Sequence, residues 1–196
     1  MDGVLPSGMR YRVGEAEGRA TPALVLVNSV VAAPGEVDAL GDVATAAAWF
    51  AEVAAVLPVG EIGDDLGVDD DRLDALRQVR GAVEQILLGR PRASSLAVVN
   101  RYDTESAPSW ALDLDGRGEL RVRRRLWGSG VESWLGAVAA DCIDVVRSGA
   151  RDRVTTCATP TCRIVLLPDH HRRRYCSATC AHRTRQARYA GTVPRD

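Results

Sequence analysis

The spacing of hydrophobic positions changes along the chain, and each change marks an element. In DDDRLDALRQVRGAVEQILLG (69–89), Leu73, Leu76, Val79, Val83, Ile86 and Leu87 recur at helical spacing. Acids fill its first turn and Gly89 follows its last, so this stretch predicts a well-capped amphipathic helix. Val131, Leu135, Val138, Cys142, Val145 and Val146 predict another inner face over 130–148. Alanine-rich 42–57, stopping before Pro58, and the shorter stretch 92–102 predict two more helices. Between 109 and 127 the period falls to two on both sides of DGRG, which predicts a β-hairpin. The run ALVLVNSVVAA (23–33) is apolar nearly throughout, and periodicity alone does not separate strand from helix there.

These elements predict a Gly-rich flexible leader (1–20) and a domain over 21–150 that is mainly α with one β-hairpin, an α+β fold. A polar link, SGARDRVTT (148–156), leads into a cysteine module over 154–190. The 23–33 run is about half the length a membrane span needs, and no secretory signal opens the chain, so a cytoplasmic protein without a membrane partner is expected. The overall charge of -1 conceals an asymmetry. Residues 1–150 hold 15 arginines against 23 acids, whereas 151–196 hold 10 against 3. An acidic body with a basic end is the charge pattern of a protein that grips a polyanion.

The basic end also holds four of the five cysteines. Cys157-x4-Cys162 and Cys176-x3-Cys180 are two close pairs separated by thirteen residues. Two such pairs supply the four tetrahedral thiolates that one structural zinc prefers, and a closed shell of thiolates leaves no open position for catalysis. RIVLL (163–167) reads as a strand, PDHH as a turn and RRRYC as its return. Ser177 reads as the N-cap of a helix reaching Tyr189, and the whole reads as a treble-clef-like finger. The spacing leaves two alternatives: His170 or His171 replacing one cysteine as ligand, and release of the metal on oxidation. Cys142 belongs to the helical face and reads as a buried hydrophobe.

At about 100° per residue, Arg185 lies about 140° and Arg188 about 80° round the last helix from Cys180, both able to reach outward. Arg183, about 60° away, lies nearer the metal side, where it can brace the finger instead. Arg172, Arg173 and Arg174 precede the helix, where its dipole also favours phosphate. Such contacts are mostly independent of base sequence and sensitive to salt.

The residues RRRYCSATCAHR resemble the CGNR zinc finger that follows an ABATE domain in bacterial proteins described as stress-induced transcription regulators. Cys157 and Cys162 look like the family's opening knuckle, and Leu167-Pro168-Asp169 like its apolar-acidic turn. Arg173-Arg174-Tyr175-Cys176-Ser177 looks like its Arg-Arg-Trp-Cys-Ser. LVLVNS (24–29) is similar to the ABATE Leu-Asp-Phe-x-Asn-Thr segment, with Asn28 and Ser29 matching its end. The naming motif Cys-Gly-Asn-Arg stands here as Cys180-Ala181-His182-Arg183, one residue closer to Cys176 than in most members, and Val25 replaces an acid.

The resemblance implies a zinc-containing transcription regulator. Its nucleic-acid contacts, with DNA as the expected polymer, would be Arg172, Arg173, Arg174, His182, Arg183, Arg185 and Arg188. A homodimer and a small-molecule effector are further partners to test. Two rival readings stand beside it. One is a zinc-stapled protein-interaction or dimerisation module. The other is a sensor or enzyme in the N-terminal domain, with Asn28, Trp49, Trp110 and Trp127 as pocket residues. Against the enzyme, the chain carries no phosphate loop, and all three histidines lie in the cysteine module.

Overall fold

A computed structural model describes residues 21–33, 35–56, 67–105, 109–125 and 130–191. The expected leader, Pro58, Trp127 and the side chain of Trp110 lie outside the described residues. The apolar run 23–33 is both things that its composition allows. Thr21 caps and Pro22 starts a short helix, α1 (Pro22–Val27), which stops at Asn28; the β-branched residues beyond it then form β1 (Val30–Ala33). β1 pairs antiparallel with β2 (Gly35–Asp38), a hairpin the sequence reading did not contain.

The expected helices follow as α2 (Val43–Val56), α3 (Asp70–Leu87), α4 (Ala93–Glu105) and α5 (Gly130–Arg147). Asp69 caps α3 by accepting the Arg72 amide. Gly89 closes α3 at φ +75°, with its own N–H on the Ile86 carbonyl and the Arg90 N–H on Gln85, the paired bonds of a Schellman end. The six predicted apolar positions of α3 are all buried. On α5, Val131, Leu135, Val138, Cys142 and Val145 are buried, but Val146 is 43% exposed, a correction of the expected face. Trp49 and Phe50 of α2 meet Trp134 of α5 edge to face, with ring centroids 5.6 and 5.4 Å apart. That contact assigns Trp49 to the core and removes it from a pocket.

The expected hairpin forms from β3 (Ser109–Leu114) and β4 (Leu120–Arg125). At its turn, the Asp115 carboxylate accepts the Arg117 and Glu119 amides and Gly118 supplies φ +78°. Leu112 pairs with Val122 and Leu114 with Leu120, and all four side chains are exposed. Past α5, a 3-10 turn (Ala150–Arg153) leads to β5 (Thr155–Thr156), which pairs antiparallel with β6 (Val165–Leu166). The last helix, α6, spans Ala178–Tyr189 with Ser177 as its cap, as expected. No helix among the described residues is long and apolar enough to cross a membrane.

β6 has two sides. Val165 and the adjoining Leu167 pack into the core of the helical body, whereas Leu166 packs with Cys157 and Cys180. The body and the cysteine module therefore meet through a shared strand.

Candidate metal centre and its basic surround

Each cysteine is placed by a short local device. In the first knuckle the Cys162 amide donates to the Thr159 carbonyl (2.9 Å), and the Cys157 amide donates to Ile164 (2.8 Å), so Cys157 and Cys162 face each other across a tight loop. The knuckle is fastened to α6 through Thr159. Its hydroxyl donates to the Cys180 carbonyl (3.1 Å) and shares a hydrogen bond with the Thr184 hydroxyl (2.9 Å), and both threonines are buried. Ser177 caps α6 by accepting the Cys180 amide at 3.2 Å, which puts Cys180 in the first turn and Cys176 just before it.

The four sulfurs lie within 4.8 Å of one another, with Cys176 to Cys180 at 3.5 Å and Cys162 to Cys176 at 3.7 Å. A zinc tetrahedron with bonds of about 2.3 Å has edges of about 3.8 Å, so the cluster already has the dimensions of that shell. The sulfurs also compete among themselves for protons. Hydrogen bonds from Cys162 and then Cys176 hold Cys157 far below the usual thiol range. The bond to Cys157 pushes Cys162 up to about 12, and Cys176 is pushed up by its bonds to Cys157 and Cys162. A dication relieves that competition by letting every sulfur ionise. The four cysteines fit one structural zinc. His170 and His171 lie outside the cluster, exposed on the following turn.

The return segment departs from expectation. β6 does not pair with RRRYC; its partner is β5, upstream of the knuckle. The 173–175 segment is tied to the first knuckle by the Ala158 N–H, which donates to the Arg174 carbonyl at 2.8 Å. Arg173 explains the irregularity. Its guanidinium donates to the carbonyls of Tyr175 (3.2 Å) and Cys176 (3.1 Å) and faces Asp169 at 3.7 Å, with its side chain only 10% exposed. Expected among the outward contacts, Arg173 is instead the brace of the segment that carries Cys176.

Residues 20–149 match the model of ABATE, described as "Putative stress-induced transcription regulator". The chain belongs to the ABATE family. Residues 153–191 of this ABATE protein match the CGNR zinc finger. Neither family is described as an enzyme. No curated protein matches the chain.

In this ABATE protein the motif residues Asn28 and Ser29 are structural. Asn28 donates Nδ2–H to the Val165 carbonyl and accepts the Val165 N–H at Oδ1, each at 2.8 Å. Ser29, fully buried, accepts from Arg80, which also makes a two-pronged pair with Asp38. Asn28 is thereby withdrawn from the pocket residues of the enzyme reading. Of the other predicted contacts, Arg172, His182, Arg183 and Arg185 are exposed. Arg188 is half-buried, a correction consistent with its position nearer the Cys180 side of α6. Arg183 is freer of the metal core than its angle suggested.

Sequence reasoning missed a set of groups beside the finger. Arg153, Thr155 and Thr156, from the link, share a cleft of about 490 Å³ with His170, His171 and Arg174. Nothing in the local pattern signals this, because the cleft exists only once β5 pairs with β6.

Proposed function

We propose that this protein is a cytoplasmic transcription regulator that binds nucleic acid, DNA in the first instance, through its zinc-folded C-terminal module. The observation that carries the reading is the exposed arginine surface on a metal-stapled scaffold: Arg172 and Arg174 before α6, Arg183 and Arg185 along it. A finger this small has too little core to stand alone; zinc supplies the folding energy and holds those arginines at fixed separations. Guanidinium forks then meet phosphates, giving affinity that is largely indifferent to base sequence and steep in salt. The family description supports the same reading. His182, where the family has asparagine, is an added exposed donor on that surface.

The test is fluorescence anisotropy of the zinc-loaded full chain with random duplex DNA and with single-stranded RNA, at low and physiological salt. Replacing Arg183 and Arg185 together by Gln should weaken binding and flatten its salt dependence. No binding to either polymer sinks the reading.

One observation favours a second reading, a protein-interaction or dimerisation module. The paired residues Leu112/Val122 and Leu114/Leu120 present an apolar hairpin face, 63 to 71% exposed, of the kind that marks association surfaces. Sedimentation that stays monomeric over the working concentration range would remove the dimer form of it.

A further inference from the structure

The cleft between the link and the finger gathers three arginines, two threonines and two histidines around the apolar Ala158 and Pro168. On one wall stand Arg153 and the exposed hydroxyl residues Thr155 and Thr156; on the other stand His170, His171 and Arg174. Arg153 donates Nη1–H to the Pro168 carbonyl at 3.3 Å, which ties its guanidinium to the far wall and uses one of its five N–H groups. Asp169 accepts the His170 amide at 3.0 Å and lies 3.7 Å from both the His170 ring and the Arg173 guanidinium, so its carboxylate is shared between two residues of the cleft. Arg173 also lines the cleft, with Nε and Nη2 donating to backbone carbonyls and Nη1 facing Asp169. Among the described residues, none that lines the cleft carries a carboxylate.

We infer that this cleft is a phosphate seat, taking a phosphate ester between Arg153 and Arg174 with the Thr155 and Thr156 hydroxyls beside them. The inference rests on, and sharpens, the nucleic-acid reading above. It moves the grip from α6 to the junction of the two family regions, and it adds the link residues Arg153, Thr155 and Thr156 to the contact surface. Phosphate oxygens suit the walls for three reasons. Guanidinium forks match their geometry, the Thr156 hydroxyl can donate to them while that of Thr155 donates to the Thr156 carbonyl at 3.4 Å, and a fixed wall loses little entropy on binding. The threonine wall is fixed because β5 carries the threonines, β6 pairs with β5, and Asn28 holds β6 to the body. The cleft is larger than a bare phosphate, so the ester has room for the sugar attached to it. The phosphate can belong to a nucleic-acid backbone or to a free phosphorylated compound, and the two sources are separated by experiment.

The full-length zinc-loaded protein would be compared with R153Q/R174Q, with T156V, and with R147Q as a control. Arg147 is exposed on α5 and paired with Asp144. One arm titrates a labelled random 20-base-pair duplex by anisotropy across a salt series. The other follows inorganic pyrophosphate by calorimetry. Zinc content and circular dichroism confirm that each variant is folded. If the seat holds backbone phosphate, R153Q/R174Q weakens duplex binding at least tenfold and lowers the salt slope by about one. T156V then weakens it a few-fold, and R147Q changes nothing. If the seat holds a free phosphorylated compound, duplex binding is unchanged in R153Q/R174Q while pyrophosphate binding is lost. A wild-type protein that ignores duplex but binds pyrophosphate through these residues defeats the DNA reading and keeps the seat. Folded R153Q/R174Q indistinguishable from wild type in both arms overturns the seat and leaves the nucleic-acid reading to stand on α6.

Discussion

Asn28 and Val165, 137 positions apart, form a closed pair in which one side-chain amide satisfies both the N–H and the C=O of a single peptide residue, at 2.8 Å each. The geometry is that of one rung of a β-ladder, with asparagine standing in for a strand. It ends α1, anchors β6 and joins the two modules at one point. Asn28→Ala would leave two backbone groups beside the buried Val165 without their partner, at a cost of about 1–3 kcal/mol. Denaturant unfolding should record that loss, and amide exchange at Val165 should accelerate while zinc content stays at one per chain.

Zinc removal should act on one part of the chain first. With a strong chelator, the 157–189 region is expected to lose order while most of the helical signal, carried by α2 to α5, remains. The body's own melting temperature should also fall, because Val165 and Leu167 leave its core. A Cys→Ser change at any of positions 157, 162, 176 or 180 should reproduce the chelated state. Metal analysis and far-ultraviolet circular dichroism on the same samples check both.

Cys142 should behave unlike the other four thiols. Burial, with the neighbouring Asp141 charge, pushes it up to about 12, so at pH 8 only about one molecule in ten thousand carries its thiolate. Alkylation of the chelated protein under native conditions is expected to modify four cysteines rapidly and Cys142 only on global unfolding. Peptide mapping over time distinguishes the two classes.

The Arg80–Asp38 pair predicts an acid limb to stability. Burial tends to raise the Asp38 carboxyl, but hydrogen bonds from Arg80 and the Leu40 amide, with the charges of Arg80 and Arg77, outweigh it and hold the group below its ordinary 3.8. A depressed carboxyl stabilises the fold above its unfolded value, and the contribution is lost as pH falls through the folded one. The stability gap between wild type and Asp38→Asn should therefore be constant from pH 5 to 7 and shrink below about pH 4. Unfolding curves across that range give the answer.

The hairpin face offers a reciprocal check. If Leu112 and Val122 are as open in solution as here, changing both to Thr should alter stability by no more than about 0.5 kcal/mol per site. A larger loss measured by thermal unfolding would mean that something covers the face.

Much of this molecule was readable in advance, and what was not shares a cause. The α3 helix carried its acids, stripe and closing glycine within one window, and the cysteine spacing pointed to four thiolate ligands while leaving His170 and His171 open as substitutes. The 23–33 run was undecidable because the residue that divides it, Asn28, stops the helix while bonded to a strand 137 positions away. RIVLL was recognisable as a strand, yet its partner was misassigned. Two-residue β5 has no periodicity to detect, and Arg173, which looked like a phosphate contact, turns inward to hold the carbonyls that a partner strand would have taken. The cleft was invisible for the same reason, since its two walls come from either side of that pairing.

Because Val165 of β6 and the adjoining Leu167 go to one core and Leu166 to the other, the finger is not an interchangeable cassette. Spliced onto a foreign body, it would arrive with two bare aliphatic side chains; the body left behind would keep an unfilled slot beside α1. Substitutions at this seam must compensate across it, so the two halves are expected to drift together as one inherited unit, even where their outward surfaces diverge freely.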